Sequence, residues 1–386
     1  MSNNDFLPFS RPTISQAAID EVVDCIKSGW LTTGPRTKKF EEMLQAYFQA
    51  PHVLALTSAT AGLHLALLAL NMQPGDEVIV PAMTFVGTFN TIVLAGGKPV
   101  LVDVDLKTYN IDPVEIEKAI TSKTRAIMPV HLTGLSADLD AIYAIANKHN
   151  LRVIEDAAQA IGTKYKNKLI GTFGDTQIFS FHPNKNMTTG EGGCVVTRDD
   201  AMAKTIKVMR FHGIDREAFN RFSKEGSQHY DVIAPGLKYN MLDMQAALGI
   251  HQLPELEKFN ARRTVLAQRY YELFKDWPEF TIPPNPKTVE GHSWHLYAPL
   301  INPDKAGIDR DGFLQQMKEN NIGIGLHYDA PHLYKYYREK FGYKKGDFPN
   351  AETIGEHVMS LPLFPLMTEA DQDRVVKTAR MIFDKK

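Results

Sequence analysis

At 386 residues the chain is long enough for two domains, and its 44% apolar and 23% charged residues are ordinary for a soluble globular protein. A formal net charge of −2 leaves no basic excess for nucleic acid or an anionic membrane surface, so a small-molecule partner is expected. Cys25 and Cys194 form neither a disulfide framework nor a metal-ligand spacing, and the longest apolar stretch, Leu63 to Leu70, is far short of a membrane span. The opening M-S-N-N-D-F-L-P has no basic region followed by an apolar run, which together with the cysteine usage gives the expectation of a cytoplasmic protein without a bound metal.

In chain order, Ser15 to Lys27 carries apolar residues at helical spacing, and a turn-rich G-W-L-T-T-G-P leads to a second helix from Thr37 to about Phe48. A short apolar run, Val53 to Leu56, then opens onto Thr57, Ser58, Ala59 and Thr60 before a strongly helical L-H-L-A-L-L-A-L. Small hydroxyl residues at a helix start are ordinary caps, and the same N-terminus, with its free backbone N–H groups, is a ready phosphate site. Strand-like runs follow at Glu77–Pro81, Pro99–Val104, Arg125–His131, Leu151–Glu155 and Thr176–Phe181, with helical stretches at Phe85–Leu94, Pro113–Ile120 and Asp138–Asn147 between them. Near-continuous apolar strands alternating with helices indicate an α/β architecture with a mostly parallel sheet. In such sheets ligands bind at the C-terminal strand ends, where Thr60, Phe85, Asp156 and Lys185 all fall.

Lys185 lies in S-F-H-P-N-K-N-M-T-T-G-E-G-G, a tight loop between two apolar runs. A lysine held there is either a surface residue or a Schiff-base amine. Asp156 ends L-R-V-I-E-D, and a carboxylate at the end of a buried strand is either a helix cap or the partner of a buried cation. Pyridoxal phosphate joins the two: it needs an amine for its aldehyde, an anion at its ring nitrogen, donors for its phosphate and a face for its ring. Ser58, Ala59, Thr60 and Ser180 offer phosphate donors, Phe85 a ring face, and Gln159 a contact to the phenolic oxygen. Beyond residue 200 helices are expected at Met202–Arg210, Met244 to about Phe274, Arg310–Asn320 and Glu369–Ile382, with a strand-like W-H-L-Y-A-P-L-I after Ser293. The prolines at 283, 284 and 286 mark a boundary.

With those residues assembled, the chain resembles the DegT/DnrJ/EryC1/StrS family of nucleotide-sugar aminotransferases. It is most similar to the branch that aminates UDP-4-keto sugars, the 4-amino-4-deoxy-L-arabinose type. The motifs span nearly the whole length: F-L-P-F-S-R-P, S-G-W-L-T-T-G-P, S-A-T-A-G-L-H-L-A-L, E-D-A-A-Q-A, the lysine loop, K-Y-N-M-L-D-M-Q-A-A-L-G and H-Y followed by S-L-P-L-F-P.

The resemblance implies a fold-type I transferase, with a large domain (1–250) around a mostly parallel seven-stranded sheet and a smaller C-terminal α+β domain (251–386). It implies pyridoxal phosphate bound covalently to Lys185 as an internal aldimine, Asp156 at the ring nitrogen, Phe85 on the ring, Thr60 and Ser180 at the phosphate, and Asn240 reaching the cofactor phosphate of the other subunit of a homodimer. It also implies an amino-acid donor, glutamate, a nucleotide-sugar acceptor, and a place in lipid A or surface-polysaccharide sugar synthesis. Arg210, His327 and Tyr328 are candidate substrate contacts. The alternatives are a sugar dehydratase, which in some relatives carries histidine where this chain has Lys185, a 3-aminotransferase acting on a dTDP- or GDP-linked sugar, and a non-catalytic sugar-nucleotide sensor.

Overall fold

The computed structural model describes residues 5–215 and 229–384. Its strands are β1 (His52–Leu56), β2 (Glu77–Pro81), β3 (Lys98–Val102), β4 (Thr124–Ile127), β5 (Arg152–Asp156), β6 (Lys164–Tyr165), β7 (Lys168–Leu169), β8 (Thr176–Ser180), β9 (Gly193–Thr197), β10 (Phe280–Thr281) and β11 (Leu300–Ile301). The helices are α1 (Gln16–Ser28), α2 (Pro35–Phe48), α3 (Ala59–Ala69), α4 (Val86–Leu94), α5 (Pro113–Ala119), α6 (Leu139–His149), α7 (Asp200–Met209), α8 (Asp243–Gln252) and α9 (Leu256–Phe274), then α10 (Pro303–Ala306), α11 (Arg310–Glu319), α12 (Lys335–Phe341), α13 (Pro349–His357) and α14 (Glu369–Phe383).

Seven strands form one sheet in the order β1-β9-β8-β5-β4-β2-β3. β3, β2, β4, β5 and β8 pair in parallel, while β9 runs antiparallel to both β8 and β1. The mostly parallel α/β sheet expected from the sequence is therefore present, with β9 as its one reversed strand.

The two-residue period of each strand divides its side chains between two cores. Leu54, Ile154, Ile178 and Val195 pack on one face against α3, in the core that also holds Val78. On the other, Val53, Phe179, Cys194 and Val196 meet Phe40, Leu44 and Ile250, while Ile79, Ile127 and Val153 meet Ile142 of α6. Each fully buried aliphatic side chain contributes about 1.5–3 kcal/mol relative to exposure, which is why such near-continuous apolar strands settle only in a covered sheet.

Helix starts follow local chemistry. The Ser15 hydroxyl accepts from Ala18 N at 3.2 Å to open α1, and Gly29 in the left-handed region closes it. The helix expected from Met244 to Phe274 is broken in two by a 3-10 turn at Leu253–Glu255. Pro254 sits in that turn, where its missing N–H and fixed ring interrupt the α-helical ladder. α9 starts in the core that holds Phe40 and ends in a separate C-terminal core with Tyr270, Phe274, Phe313 and Phe383. Leu7, from the start of the chain, packs into that C-terminal core as well.

The stretch expected as a strand after Ser293 is one only at Leu300–Ile301. Before that, Ser293 N donates to Gly134 O at 3.1 Å and Leu296 N to Thr133 O at 3.1 Å, so the segment is tied to the turn after β4 instead of to a neighbouring strand. Among the described residues no helix is long and apolar enough to cross a membrane.

Candidate active site

The C-terminal ends of β1, β2, β5 and β8 open into a cavity of about 360 Å³, within the range of small-molecule sites. It collects Ser58, Ala59 and Thr60 from the start of α3, Phe85 from the start of α4, Asp156 and Gln159 after β5, and Ser180 and Lys185 after β8. His327 and Tyr328 close it from the C-terminal half.

β5 ends in two neighbouring carboxylates with opposite circumstances. Glu155 points to the far face of the sheet, where Tyr143 Oη and Gln177 Nε2 each donate to it at 2.7 Å and His131 Nε2 lies at 2.9 Å. Ala137 N donates to His131 Nδ1 at 3.1 Å, so the imidazole proton sits on Nε2 and points at Glu155. Asp156 points into the cavity. Thr88 Oγ1 donates to its Oδ2 at 2.8 Å and Ala158 N to its Oδ1 at 3.1 Å. Among the described residues it has no ion-pair partner, and burial raises its pKa above the usual carboxylate value, against the lowering effect of those donors and of Lys185. The donors leave it short of a cation.

Lys185 faces it across the cavity. Among the described residues its amine makes one close polar contact, to His295 Nε2 at 3.4 Å. Burial lowers its pKa to about 8, partly offset by the charge of Asp156. A lysine so placed is far richer in neutral, nucleophilic amine at physiological pH than a surface lysine.

The anion-binding end is made by α3. Ser58 caps it by accepting from Ala61 N at 3.1 Å, leaving Ala59 and Thr60 in a first turn whose N–H groups have no intrahelical acceptor. Ser180 stands beside it on β8, with its Oγ 3.4 Å from His182 N. The approach is close: a Cβ added to Gly193, at the start of β9, would lie 2.5 Å from Ala59 N and 2.6 Å from both Phe179 O and Ser58 C. These three nearest atoms are all backbone, which cannot turn aside as a side chain can. Gly193→Ala is expected to push the α3 start out of place, at a cost of about 1–3 kcal/mol in stability and a weakened hold on an anion. Thermal melts with and without phosphate-bearing ligand measure both effects.

Phe85 is 51% exposed although it starts a helix of the core. Its ring lies at the cavity, 5.5 Å from that of Tyr328. Gln159 joins the two halves of the chain: Thr133 N donates to its Oε1 at 2.7 Å, and its Nε2 donates to Tyr328 Oη at 3.0 Å. Burial raises the Tyr328 pKa and lowers that of His327 to about 3, so both are neutral, with His327 Nδ1 at 2.9 Å from Ser360 Oγ.

Two expected residues lie elsewhere. Arg210 does not reach the cavity: it caps α7, and its Nη1 donates to Glu41 Oε1 at 2.6 Å and to Ala55 O at 3.1 Å, beside a separate surface pocket. Asn240 does not line its own chain's cavity either; its amide donates to Thr33 Oγ1 and accepts from Lys238 Nζ. Three residues that the sequence reading passed over are present: Thr84, which bonds Thr88 at 2.9 Å; Thr88 itself; and His295. The signal for His295 was a histidine inside a run too apolar for a solvated polar residue.

A buried amine and a buried, cation-poor carboxylate across one cavity at the strand ends are what pyridoxal phosphate requires, and the open helix start and the exposed ring fit its phosphate and its face. The fold and site define a PLP-dependent transferase. The chain belongs to the DegT/DnrJ/EryC1/StrS aminotransferase family, whose model matches residues 12–380. It is 45% identical over 380 residues to the spore coat polysaccharide biosynthesis protein SpsC of Bacillus subtilis, covering 98% of this chain and 97% of that one. Among solved structures it is similar to the putative sugar aminotransferase Spr1654 of Streptococcus pneumoniae in its PMP form (TM-score 0.90, 32% identity, 98% of this chain and 99% of that chain). It is also similar to PseC of Helicobacter pylori, an aminotransferase involved in pseudoaminic acid biosynthesis (TM-score 0.90, 28% identity, 99% and 100%). The protein is a sugar aminotransferase and its cofactor is pyridoxal phosphate.

Proposed function

We propose that the chain transfers an amino group from L-glutamate to the C4 keto group of a UDP-linked sugar destined for a surface polysaccharide or a lipid A sugar. The observation that carries the amino-transfer reading is the Lys185 amine opposite the cation-poor Asp156. Polysaccharide synthesis is supported by the likeness to SpsC, and UDP and C4 by the motifs shared with the UDP-4-keto-sugar branch.

Bound pyridoxal phosphate supplies an aldehyde that condenses with amines and a ring that draws electrons from the substrate carbon. Lys185 would hold it through Nζ and, once released, take and return a proton at that nitrogen. Asp156 would keep a proton on the ring nitrogen, because an opposite charge at close range favours the charged form. Ser58, Ala59, Thr60 and Ser180 would bind the phosphate, and Phe85 would cover the ring. Gln159 keeps one amide hydrogen beyond its bond to Tyr328, available for the phenolic oxygen. His327 and Tyr328, neutral and at the mouth, would meet the sugar and exclude water. A homodimer completes this scheme: Lys185 is the only Lys or Arg among the described residues lining the cavity, and Asn240, outside its own cavity, would reach the phosphate in the partner.

The test follows visible absorbance of the purified holoenzyme as glutamate is added, then offers the aminated form a panel of UDP-, dTDP- and GDP-linked 3- and 4-keto sugars. Loss of the lysine-bound cofactor band with glutamate, and a nitrogen gained at C4 of a UDP sugar by mass spectrometry, is the expected result. A product that loses water and gains no nitrogen replaces amino transfer with dehydration, and amination of another nucleotide or of C3 replaces the UDP-4-keto assignment.

A further inference from the structure

Among the described residues His295 makes the one close polar contact of the Lys185 amine, and its place is built by three elements. Trp294 N donates to His292 Nδ1 at 2.9 Å, turning the chain just before it. Arg263 of α9 donates through Nη1 to Trp294 O, His295 O and Leu363 O at 3.3, 3.2 and 2.8 Å, which pins the peptide from below. The turn after β4 holds it from the side: Leu296 N bonds Thr133 O, and Gly134, at φ +97°, has no room for a side chain, since a Cβ there would lie 3.0 Å from His295 N and collide with Ser293 Oγ. The imidazole is 2% exposed, and its Nδ1 has no hydrogen-bond partner among the described residues.

The charge of that ring is settled by what faces it. Lys185, Arg263, His327 and His182 all oppose a proton, and burial opposes it more, so His295 stays neutral with one N–H. Among the described residues no carboxylate binds either nitrogen. Lys185 Nζ has only hydrogens to offer when protonated, so the ring nitrogen it meets must be the acceptor, which puts the imidazole proton on Nδ1.

We propose that His295 is a positioning residue for Lys185: its Nε2 accepts a hydrogen bond from the lysine amine and fixes that amine whenever it is free of the cofactor. The inference rests on the function proposed above, in which the amine is released in each half-reaction and must act from one place. A four-carbon stem otherwise spreads its amine over many rotamers, and a displacement near 1 Å costs about 100-fold in rate.

Three variants test it. His295→Phe fills the space without an acceptor, His295→Gln returns one near Nε2, and His295→Asn offers its amide only near Nδ1. With folding checked by thermal melts and cofactor by the visible band, kcat is expected to fall about 10–100-fold in the Phe and Asn variants, to be largely restored in the Gln variant, and to change with little change in KM for the amino donor. A second readout needs no cofactor. In apo protein the rate of Lys185 acylation, read by mass spectrometry against pH, has its midpoint near the lysine pKa of about 8. An acceptor stabilises the ammonium form more than the amine, so the midpoint is expected to move down in His295→Phe and to stay in His295→Gln. Equal kcat in all three variants, or equal midpoints in Phe and Gln, overturns the inference. Should His295→Phe fail to fold, Gln against Asn decides it. If the wild type itself fails to transaminate, the proposed function has failed; if it turns over and the variants match it, only His295 has.

Discussion

Lys185→Ala is expected to abolish amino transfer, lowering kcat by about 10⁴-fold or more, because under the proposed function Lys185 is both the nucleophile that would hold the cofactor and the base that would move the proton. The visible band of the lysine-bound cofactor should vanish while far-UV circular dichroism stays that of the wild type. A small primary amine, entering the space the side chain leaves, is expected to return a measurable fraction of the rate. Lys185→Met separates chemistry from stability, since it keeps the stem and drops the charge. With a folded pKa of about 8 against the ordinary 10.5, the unfolded chain binds more protons between those values. The apo wild type therefore carries its full penalty below about pH 8 and loses it as pH rises towards 10.5. Apo Lys185→Met should melt above apo wild type at pH 7, and the gap should close across that window. A variant that still turns over, or a gap that is the same at pH 7 and pH 10.5, rules out the assignment of Lys185.

Lys185 and Asp156 were legible in the sequence because each breaks a strong local pattern: a cation in a loop flanked by buried strands, and a carboxylate at the end of an apolar run. The parallel sheet was legible for a related reason, since strands covered on both faces read as apolar throughout. Arg210 shows the limit. Nothing in R-F-H-G distinguishes a guanidinium aimed at a substrate from one folded back onto Glu41, because that choice depends on where α7 ends relative to β1, a distance set by packing. His295 was hidden for the opposite reason: it sits in a run whose apolar neighbours resemble a strand, while the real structure there is set by Arg263 and the Thr133–Gly134 turn, both far away in sequence. The broken helix at Pro254 was visible in principle, but helical periodicity on both sides masked a single proline.

Asp156→Asn should separate what the carboxylate does for catalysis from what it costs the fold. The exchange is nearly isosteric and the local bonds survive it: the amide oxygen still accepts from Ala158 N, the amide nitrogen donates to Thr88 Oγ1, and Thr88 turns its own proton to Thr84, whose hydroxyl is 2.9 Å away. Both bonds to the side chain at 156 keep a partner, so the variant should fold. It cannot hold a proton on a ring nitrogen, since a neutral amide gives no opposite charge to favour the cationic ring. A kcat loss of about 10³-fold is expected, within the range of removing one preorganised charge from an active site. The apo protein should respond the other way. Burial raises the folded pKa of Asp156 above the usual 3.8, so the native state binds the extra proton and the ionised carboxylate is a burden at every pH above that folded value. Apo Asp156→Asn is therefore expected to melt above apo wild type at pH 7, with the advantage shrinking as pH falls and gone below 3.8, where both folded and unfolded carboxyls are protonated. Bound cofactor should reverse the order at pH 7, because the wild-type carboxylate then has its cation and the amide has none. Melting curves of apo and holo forms across that pH range decide it: an apo variant less stable than wild type at neutral pH would mean that Asp156 is already compensated in the empty cavity, and that its place opposite Lys185 serves the fold and not the cofactor.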